Sequence, residues 1–529
     1  MGLSTLSSEP ARSSAPERPA TASRPPKAAG AARAKTPFGA MALLTMLVLL
    51  VHGYHPFADD GALYVAGIKK LLHPSLYQTD AVFVTSHVRV SVFAHLAAWL
   101  VRSTHLPLPA LLLIFHLLSI FLFLLGAWKV AAKIFPAAQS RWGALLLAAA
   151  CFTLPVAGTS LFLMDPYVTA RSFSTPFGLF ALAATLDGAW TEAALWLALA
   201  ASMDFLMAGY MGIFLLMLIL AQRGRWRAMA VAAGAGLALC SAIYCATLHS
   251  QIDLPASQAA LSRSYFFLST WKWYEYSGLL LPLLLLSIGV QRTRGRGAAG
   301  QLSAAALATG GCASLVSLCF VHRSGSLLLA RVQVLRSFHP IYLVGLVLVA
   351  GLLGQRIGAY ALRRPGPRAI LHPAILYFVV LAAMFAGQRL TYPASNHIEW
   401  PGMPPRNPWQ QAFLWVRANT PKNSVFALDA DYILQPGEDA QGFRATAERS
   451  MLADWVKDGG IACISRAAQA PWQQQVKATR NLDRATDAER SARLLPLGAT
   501  WILLRTPDAT TFLCPYANGT VKVCRLGIR

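Results

Sequence analysis

The chain has 529 residues, of which 55% are hydrophobic and only 13% are charged, with a mean hydropathy of +0.47 and a formal net charge of +23. This composition argues against a soluble globular protein and predicts a polytopic membrane protein, because apolar runs near 20 residues recur along the chain. The basic residues lie in short loops between those runs, as cytoplasmic loops require. No basic patch is interleaved with aromatic residues, which argues against nucleic-acid binding.

The first 53 residues divide into a tail and an anchor. Residues 1–36 are rich in Ala, Pro, Ser and Arg and have no apolar period. They cannot bury a core, so we predict a disordered basic tail in the cytoplasm. The apolar run 37–53 is predicted to be a signal anchor and the first transmembrane helix. Helical patterns in 54–107 favour helices lying along the membrane surface over a spanning helix.

Ten further spans follow from the apolar runs and the positive-inside rule. The run 193–221 is predicted to be two short helices that turn at Asp204, because a single helix would place every later basic loop outside. The topology therefore has eleven spans, with the N-terminus inside and the C-terminus outside. The later spans are 109–130, 142–161, 173–186, the two halves of 193–221, 228–248, 277–291, 301–321, 338–354 and 369–387.

The composition changes near residue 390. The last part of the chain holds 12 of the 23 acids. We therefore predict a transmembrane domain over 37–390 and a small α/β domain over 391–529 on the outer side. Its predicted elements are a helix 409–418, a strand 424–428, an amphipathic helix 441–457, a strand 501–504 and a hairpin 512–526 around Asn518-Gly519.

Two cysteines, Cys514 and Cys524, flank the predicted hairpin turn almost symmetrically. They can form a disulfide, which would fit an oxidising compartment. The alternative is two reduced cysteines in the core of the domain. The pattern alone leaves both possibilities open.

Two adjacent carboxylates, Asp59 and Asp60, come directly after the first predicted span. Acids at membrane depth are costly, and they usually have a function there. We predict that this pair is the centre of an active site on the outer face. The alternative is that one of the two caps the helix beginning near Gly61, since aspartate favours that position.

Further polar residues map to the same face in this topology. Asp165 precedes Pro166 and can be a helix N-cap, or it can pair with Arg171. Arg331 and Arg336 lie in a later outer loop. They can bind lipid phosphates nonspecifically or clamp a substrate phosphate.

The layout resembles the glycosyltransferase C superfamily, with a carboxylate pair in the first outer loop, surface helices, many spans and a C-terminal outer domain. The resemblance covers about residues 37–505. Short motifs are similar to those of a group of uncharacterised bacterial membrane proteins with this layout. They are Asp165-Pro-Tyr-Val-Thr-Ala-Arg171-Ser-Phe-Ser-Thr-Pro176, Trp415-Val-Arg-Ala-Asn-Thr-Pro421, and Phe443-Arg444 with Arg449, Asp454 and Trp455.

The resemblance implies a mainly α fold, a polyprenyl-phosphate sugar donor and a cell-envelope acceptor. It also implies a bacterial inner membrane, with the outer domain in the periplasm. Asp59 or Asp60 would then be the general base or would orient the acceptor. Arg331 and Arg336, with Arg171 as a third candidate, would stabilise the leaving phosphate.

Asp165 and His55 complete the predicted substrate-binding set, and the lipid tail of the donor would lie in a groove between spans. No ligand spacing demands a metal, although a divalent ion is compatible with the site. Two other functions stay open. One is a transporter or lipid flippase, which would more often show internal repeats and charges within its spans. The other is a non-enzymatic scaffold for envelope assembly.

Overall fold

The computed structural model describes residues 36–248, 254–363 and 366–527, so the predicted tail lies outside the described residues except for its last position. Before residue 392 the described chain is helical. Its helices are α1 Phe38–His52, α2 Asp59–Leu72, α3 Ala81–Arg89, α4 Phe93–Thr104, α5 Leu108–Ile134, α6 Ala138–Ala150, α7 Arg171–Leu186, α8 Trp190–Met203, α9 Phe205–Gln222, α10 Trp226–Leu248, α11 Leu254–Leu261, α12 Trp273–Thr293, α13 Gly297–Phe320, α14 Leu327–Arg331, α15 Phe338–Arg363 and α16 Pro367–Thr391. Short 3₁₀ turns lie at Ser264–Phe266, Leu268–Thr270 and Val334–Ser337.

Seven helical segments in the described ranges are long and apolar enough to cross a membrane. They are Leu108–Ile134, Phe205–Gln222, Trp226–Thr247, Trp273–Thr293, Gly297–Phe320, Leu327–Arg363 and Leu371–Thr391. The pair α3 and α4, bent by 95°, would add an eighth if it were one span. The predicted count of eleven is not confirmed, because α1, α6, α7 and α8 have 15, 13, 16 and 14 residues.

The predicted helix 142–161 is too long. α6 ends at Ala150, and the chain then turns back in a short antiparallel bridge between Pro155 and Phe162. Proline has no N–H to donate and its ring obstructs a continuing helix, so the helix stops before it. This hairpin leads directly into the segment that carries Asp165.

The predicted break at Asp204 is confirmed. α8 ends at Met203 and α9 begins at Phe205. The Asp204 carboxylate caps α9 by accepting the backbone N–H groups of Leu206 and Met207, each at 3.1 Å.

The largest apolar core lies among α5, α6, α7, α9, α13 and α15. Its fully buried members include Phe123, Phe152, Phe214 and Phe338. α6 and α15 approach closely, since a Cβ added at Gly354 would meet the backbone oxygen of Gln139 at 2.4 Å. Glycine at such a position permits two helices to pack closely in a membrane.

The last part of the chain folds around a five-stranded sheet. The strands are β1 Val425–Ala427, β2 Ser450–Met451, β3 Trp501–Arg505, β4 Tyr516–Ala517 and β5 Val521–Arg525. Their order in the sheet is β2-β1-β3-β5-β4. β1 is parallel to β2 and β3, while β5 is antiparallel to β3 and β4. The helices are α17 Pro408–Asn419, α18 Phe443–Ala447, α19 Lys457–Ile464, α20 Arg466–Thr479 and α21 Asp487–Leu494, with 3₁₀ turns at Tyr432–Leu434 and Leu495–Leu497.

Two predictions for this part have clear outcomes. The amphipathic helix 441–457 is wrong: α18 stops at Ala447, where Glu448 turns left-handed with φ 53°, and the chain then enters β2. The disulfide alternative is correct, since Cys514 and Cys524 are bonded. The helices and the sheet together form one compact unit from Pro37 to Arg529.

Candidate active site

The segment between α1 and α2 is held by the last part of the chain. The backbone of Tyr54 forms a parallel bridge with Ile398, and the backbone N–H of Asp59 donates to the side chain of Gln441. The backbone of Asp59 has a left-handed conformation, with φ 48°. Short polar residues tolerate this conformation better than other non-glycine residues, and it occurs often at functional sites. Asp59 and Asp60 therefore begin α2 in a fixed orientation.

Neither carboxylate caps α2. The N-cap residue is Ala58 and no side chain caps the helix, so the capping alternative for Asp59 or Asp60 is wrong. Tyr167 instead donates its hydroxyl to Asp59 Oδ2 at 3.0 Å. The two aspartate side chains keep 37% and 32% of their surface exposed. Both are thus anchored but still open to a reactant.

The cation shared by both carboxylates comes from the C-terminal part of the chain. Lys457 Nζ contacts Asp59 Oδ1 and lies 2.9 Å from Asp60 Oδ1. Burial lowers the pKa of Lys457 to about 7. Contact with two carboxylates acts the other way and favours the charged form. Lys457 therefore balances part of the negative charge of the aspartate pair.

Arg171, the first residue of α7, connects Asp60 to Asp165. Its Nη2 lies 2.9 Å from Asp165 Oδ2, and its Nη1 lies 3.3 Å from Asp60 Oδ2. Asp165 is 4% exposed; burial raises its pKa, and the Arg171 charge opposes that rise. The N-cap alternative for Asp165 is wrong, because α7 begins at Arg171. The predicted pairing of Asp165 with Arg171 is confirmed.

Arg336 belongs to the same group. Its charge acts to lower the pKa of Asp165. Its guanidinium lies over the ring of Tyr265, 5.2 Å from the centroid, and its Nε donates to the Thr159 carbonyl at 3.4 Å. Asp165 is thus paired with Arg171, and the charge of Arg336 acts on it as well.

The side chains of two other predicted residues make no contact with the aspartate pair among the described contacts. His55 Nδ1 lies 3.2 Å from Glu399 Oε1, and its ring stacks on Tyr392 at 4.1 Å. Arg331 ends α14, and its charge acts on the buried thiol of Cys463. In the described part of the chain, Arg331 Nε is buried without a hydrogen-bond partner.

A small pocket of about 250 Å³, its open side included, adjoins Arg336 and has both polar and apolar lining residues. Thr159, Tyr265, Ser317 and Gln333 are among its lining residues. Ser317 Oγ and Gln333 Oε1 are buried and have no hydrogen-bond partner within the described residues. Buried polar atoms are normally hydrogen-bonded, so a ligand with matching polar atoms would satisfy them here.

A second ion network supports the position of Lys457. Arg444 donates both terminal nitrogens to Asp458, each at 2.9 Å, and its Nε to Asp80. Asp454 accepts the backbone N–H of Lys457. Burial and the neighbouring Asp458 raise the pKa of Asp454 to about 7. This network fixes the start of α19, from which Lys457 reaches the aspartate pair.

A cleft of about 450 Å³, partly open to solvent, lies between α2, α3 and the C-terminal part. Its lining residues include Asp59, Lys457, Asp454 and Arg444. Asp60 is not among them. Asp59 is therefore the carboxylate of the pair that lines this cleft.

No group of three or more His, Cys, Asp or Glu side chains suits a metal ion within the ranges 36–248, 254–363 and 366–527. The charged groups themselves offer a different chemistry. An exposed carboxylate can take a proton, and neighbouring cations can stabilise an anion. The site joins both kinds of group within one cluster.

Sequence reasoning missed three residues of this cluster: Lys457, Tyr167 and Gln441. Lys457 lies 397 positions from Asp60, and no local motif marks it. Tyr167 stands inside the quoted motif that begins at Asp165, and its place two residues after an acid was the available signal.

No protein-family model matches the chain, and no curated protein matches it either. The resemblance to the glycosyltransferase C superfamily therefore rests on the motifs quoted above and stays a prediction. The geometry of the aspartate cluster is independent of that resemblance.

Proposed function

We propose that the chain is a membrane glycosyltransferase. It would move a sugar from a polyprenyl-phosphate donor to a cell-envelope acceptor on the outer side of a bacterial inner membrane. The observation that carries this proposal is the pair Asp59 and Asp60, half-open and contacted by Lys457 and Arg171. One group of side chains thus offers a base for the acceptor and cations for a leaving phosphate.

Asp59 is the proposed base. Both Asp60 oxygens are engaged by cations, Oδ1 by Lys457 and Oδ2 by Arg171. Asp59 shares Lys457, but its other oxygen accepts only the neutral hydroxyl of Tyr167 among the described contacts. Asp59 also lines the cleft. It is therefore better placed to hydrogen-bond an acceptor hydroxyl or amine, while Asp60 orients the cations.

The proposed step exchanges one bond at the anomeric carbon. The acceptor oxygen or nitrogen forms a bond to that carbon as the carbon–oxygen bond to the lipid phosphate breaks. The electron pair stays on the phosphate, and the acceptor proton passes to Asp59. Growing negative charge on the phosphate requires nearby cations, which are worth more in a site partly shielded from water.

We place the donor phosphate beside Arg336, at the small pocket that this residue lines. The pocket offers the Arg336 guanidinium and the Ser317 hydroxyl, which has no partner in the described residues and can donate to a phosphate oxygen. Of the two predicted phosphate ligands, Arg336 is also the one whose charge acts on Asp165. Arg331 is assigned no contact with the donor.

The finer topology is part of the proposal: eleven spans, a cytoplasmic N-terminus and a periplasmic C-terminal domain. The shorter helices α1, α6, α7 and α8 would then require a locally thinner bilayer around them. The disulfide between Cys514 and Cys524 supports an oxidising compartment for the C-terminal part.

The test is donor-dependent transfer by the full chain in lipid. Labelled polyprenyl-phosphate sugars and a membrane extract are supplied to the wild type and to Asp59→Asn and Asp60→Asn variants. Asp187→Asn is the matched control, because Asp187 is an exposed acid that pairs with Lys133 at the other end of α7. We expect transfer to fall by about 100-fold or more in Asp59→Asn, as loss of a general base predicts.

The outcomes separate the candidate functions. Loss of transfer in Asp59→Asn with normal activity in Asp187→Asn supports the enzyme and its base. Equal transfer in wild type, Asp59→Asn and Asp60→Asn would overturn the proposed site. A wild type that moves intact lipid across vesicles without transferring sugar would identify a flippase instead.

A further inference from the structure

A large apolar groove runs between α12, α13 and α15, away from the aspartate cluster. It encloses about 1530 Å³, including its open side. Leu281, Leu285 and Leu352 line it and keep 55%, 46% and 51% of their surface exposed. Leucines left open in this way on membrane-length helices form a surface that apolar chains can cover.

The groove has the length of one membrane leaflet. Its α12 side extends from Leu281 to Arg292, about 17 Å at the rise of an α-helix. Half of a hydrocarbon core is about 15 Å thick. The groove is also unfilled beside Gly345, where an added Cβ would meet no atom within 4 Å.

One end of the groove is basic. Arg292, near the end of α12, and Arg356, in the last third of α15, both line it and both are exposed. In the described part of the chain neither guanidinium forms an ion pair. Thr293 stands beside them with its hydroxyl directed to the Gly289 carbonyl. At the basic end of the groove, two guanidinium groups with no ion pair in the described residues complement a lipid with an anionic head group.

This basic end lies opposite the aspartate cluster along the helices. α15 begins beside Arg336 and reaches Arg356 about 27 Å later, at 1.5 Å per residue. A donor whose phosphate lies beside Arg336 cannot place the same phosphate at Arg356. A phosphate bound at the basic end therefore belongs to a different molecule from the donor.

We propose that this groove binds an anionic glycerophospholipid, with its acyl chains along α12 and α15 and its phosphate between Arg292 and Arg356. Basic pockets between membrane helices are known to hold such head groups on the cytoplasmic side. The site does not take part in sugar transfer. It would anchor α12, which has few buried residues of its own, against α15.

The test is lipid retention by the full chain, measured without any sugar donor. The protein is purified in mixed micelles of equal phosphatidylglycerol and phosphatidylethanolamine, and bound lipids are counted by native mass spectrometry during a phosphatidylglycerol titration. We expect one retained phosphatidylglycerol per chain. The double variant Arg292→Gln/Arg356→Gln should bind it about 30-fold more weakly, at roughly fivefold per basic group.

Two controls match the variants. Arg225→Gln/Arg294→Gln removes the same charge from exposed arginines outside the groove. Gly345→Phe fills the groove and should abolish retention, whereas Gly311→Phe, on α13 and also free of neighbours within 4 Å, should not. Equal retention of phosphatidylglycerol in both double variants would overturn the site, because the retained lipid would then be bulk lipid. Preferential retention of phosphatidylethanolamine, or of an added polyprenyl phosphate over phosphatidylglycerol, would also overturn it.

Discussion

Lys457 Nζ lies 2.9 Å from Asp60 Oδ1, although the two residues are 397 positions apart. The ion pair joins the first turn of α2 to the first turn of α19, and Lys457 touches Asp59 as well. The C-terminal part of the chain thus contributes a charged group to the candidate site.

Replacing Lys457 tests that contribution. Without the ammonium, two adjacent carboxylates repel each other and one tends to take up a proton. We therefore expect Lys457→Met to lower transfer by about tenfold or more and to move the acidic limb of its pH–rate profile to higher pH. Lys457→Arg keeps the cation and should keep the wild-type limb. A Lys457→Met profile that falls uniformly at all pH values would indicate a structural role alone.

The two predicted phosphate ligands should differ. Arg336 lines the small pocket, and its charge acts to lower the pKa of Asp165. The charge of Arg331 acts instead on the thiol of Cys463. We expect Arg336→Gln to lower kcat/KM for the lipid-phosphate donor by about 100-fold, a typical cost of losing one anion-stabilising donor. Arg331→Gln is the matched control and should change it less than about fivefold. The reverse order would move the donor phosphate to Arg331.

Arg444 should matter for stability more than for chemistry. It is 7% exposed and lies between Asp80 and Asp458, which are 2% and 0% exposed. Arg444→Met would leave two buried carboxylates without their cation, so we expect a loss of about 3–5 kcal/mol in the free energy of unfolding. Arg484→Met, at an 84% exposed position, is the control. Thermal unfolding in micelles measures both, and similar shifts would contradict the importance of the buried network.

Asp454 should give stability a pH dependence. Its pKa is raised to about 7 from an ordinary 3.8. Between about pH 4 and 7 the folded state therefore holds a proton that the unfolded state has lost. Stability should fall as pH rises through this window, by at most about 1.4 kcal/mol per pH unit from this group, and should level off above it.

The variant Asp454→Asn isolates that effect. Its amide oxygen can still accept the backbone N–H of Lys457, but it carries no titrating proton. Relative to the wild type, its melting temperature should rise at pH 8 and change little at pH 4.5. Asp483→Asn, an exposed acid, should change neither value. A constant difference between Asp454→Asn and wild type at all pH values would contradict the assignment.

The sequence alone located part of the cluster. Asp59, Asp60, Asp165 and Arg171 lie within motifs of contiguous residues, and their charge in an apolar context marked them. The break at Asp204 was equally visible, because loop charges constrain which way each helix runs. Features of this kind can be predicted because the residues that define them are close together in the sequence.

The remaining features depend on tertiary contacts. Lys457 is one of many lysines, and only the fold brings it to the aspartate pair. The early end of α18 depends on strand pairing of Ser450 with Val425, which an amphipathic pattern cannot reveal. The search for apolar runs overestimated the length of α6, because the hairpin at Pro155 that follows it is itself apolar.

The ion pair between Asp60 and Lys457 has a consequence for the biosynthesis of the protein. The carboxylates emerge early from the ribosome, and their ammonium partner follows roughly 20–80 s later at ordinary rates of synthesis. A chain interrupted before α19 would carry the aspartate pair with Arg171 but without Lys457. The complete charge cluster can therefore form only after the chain has been synthesised through α19.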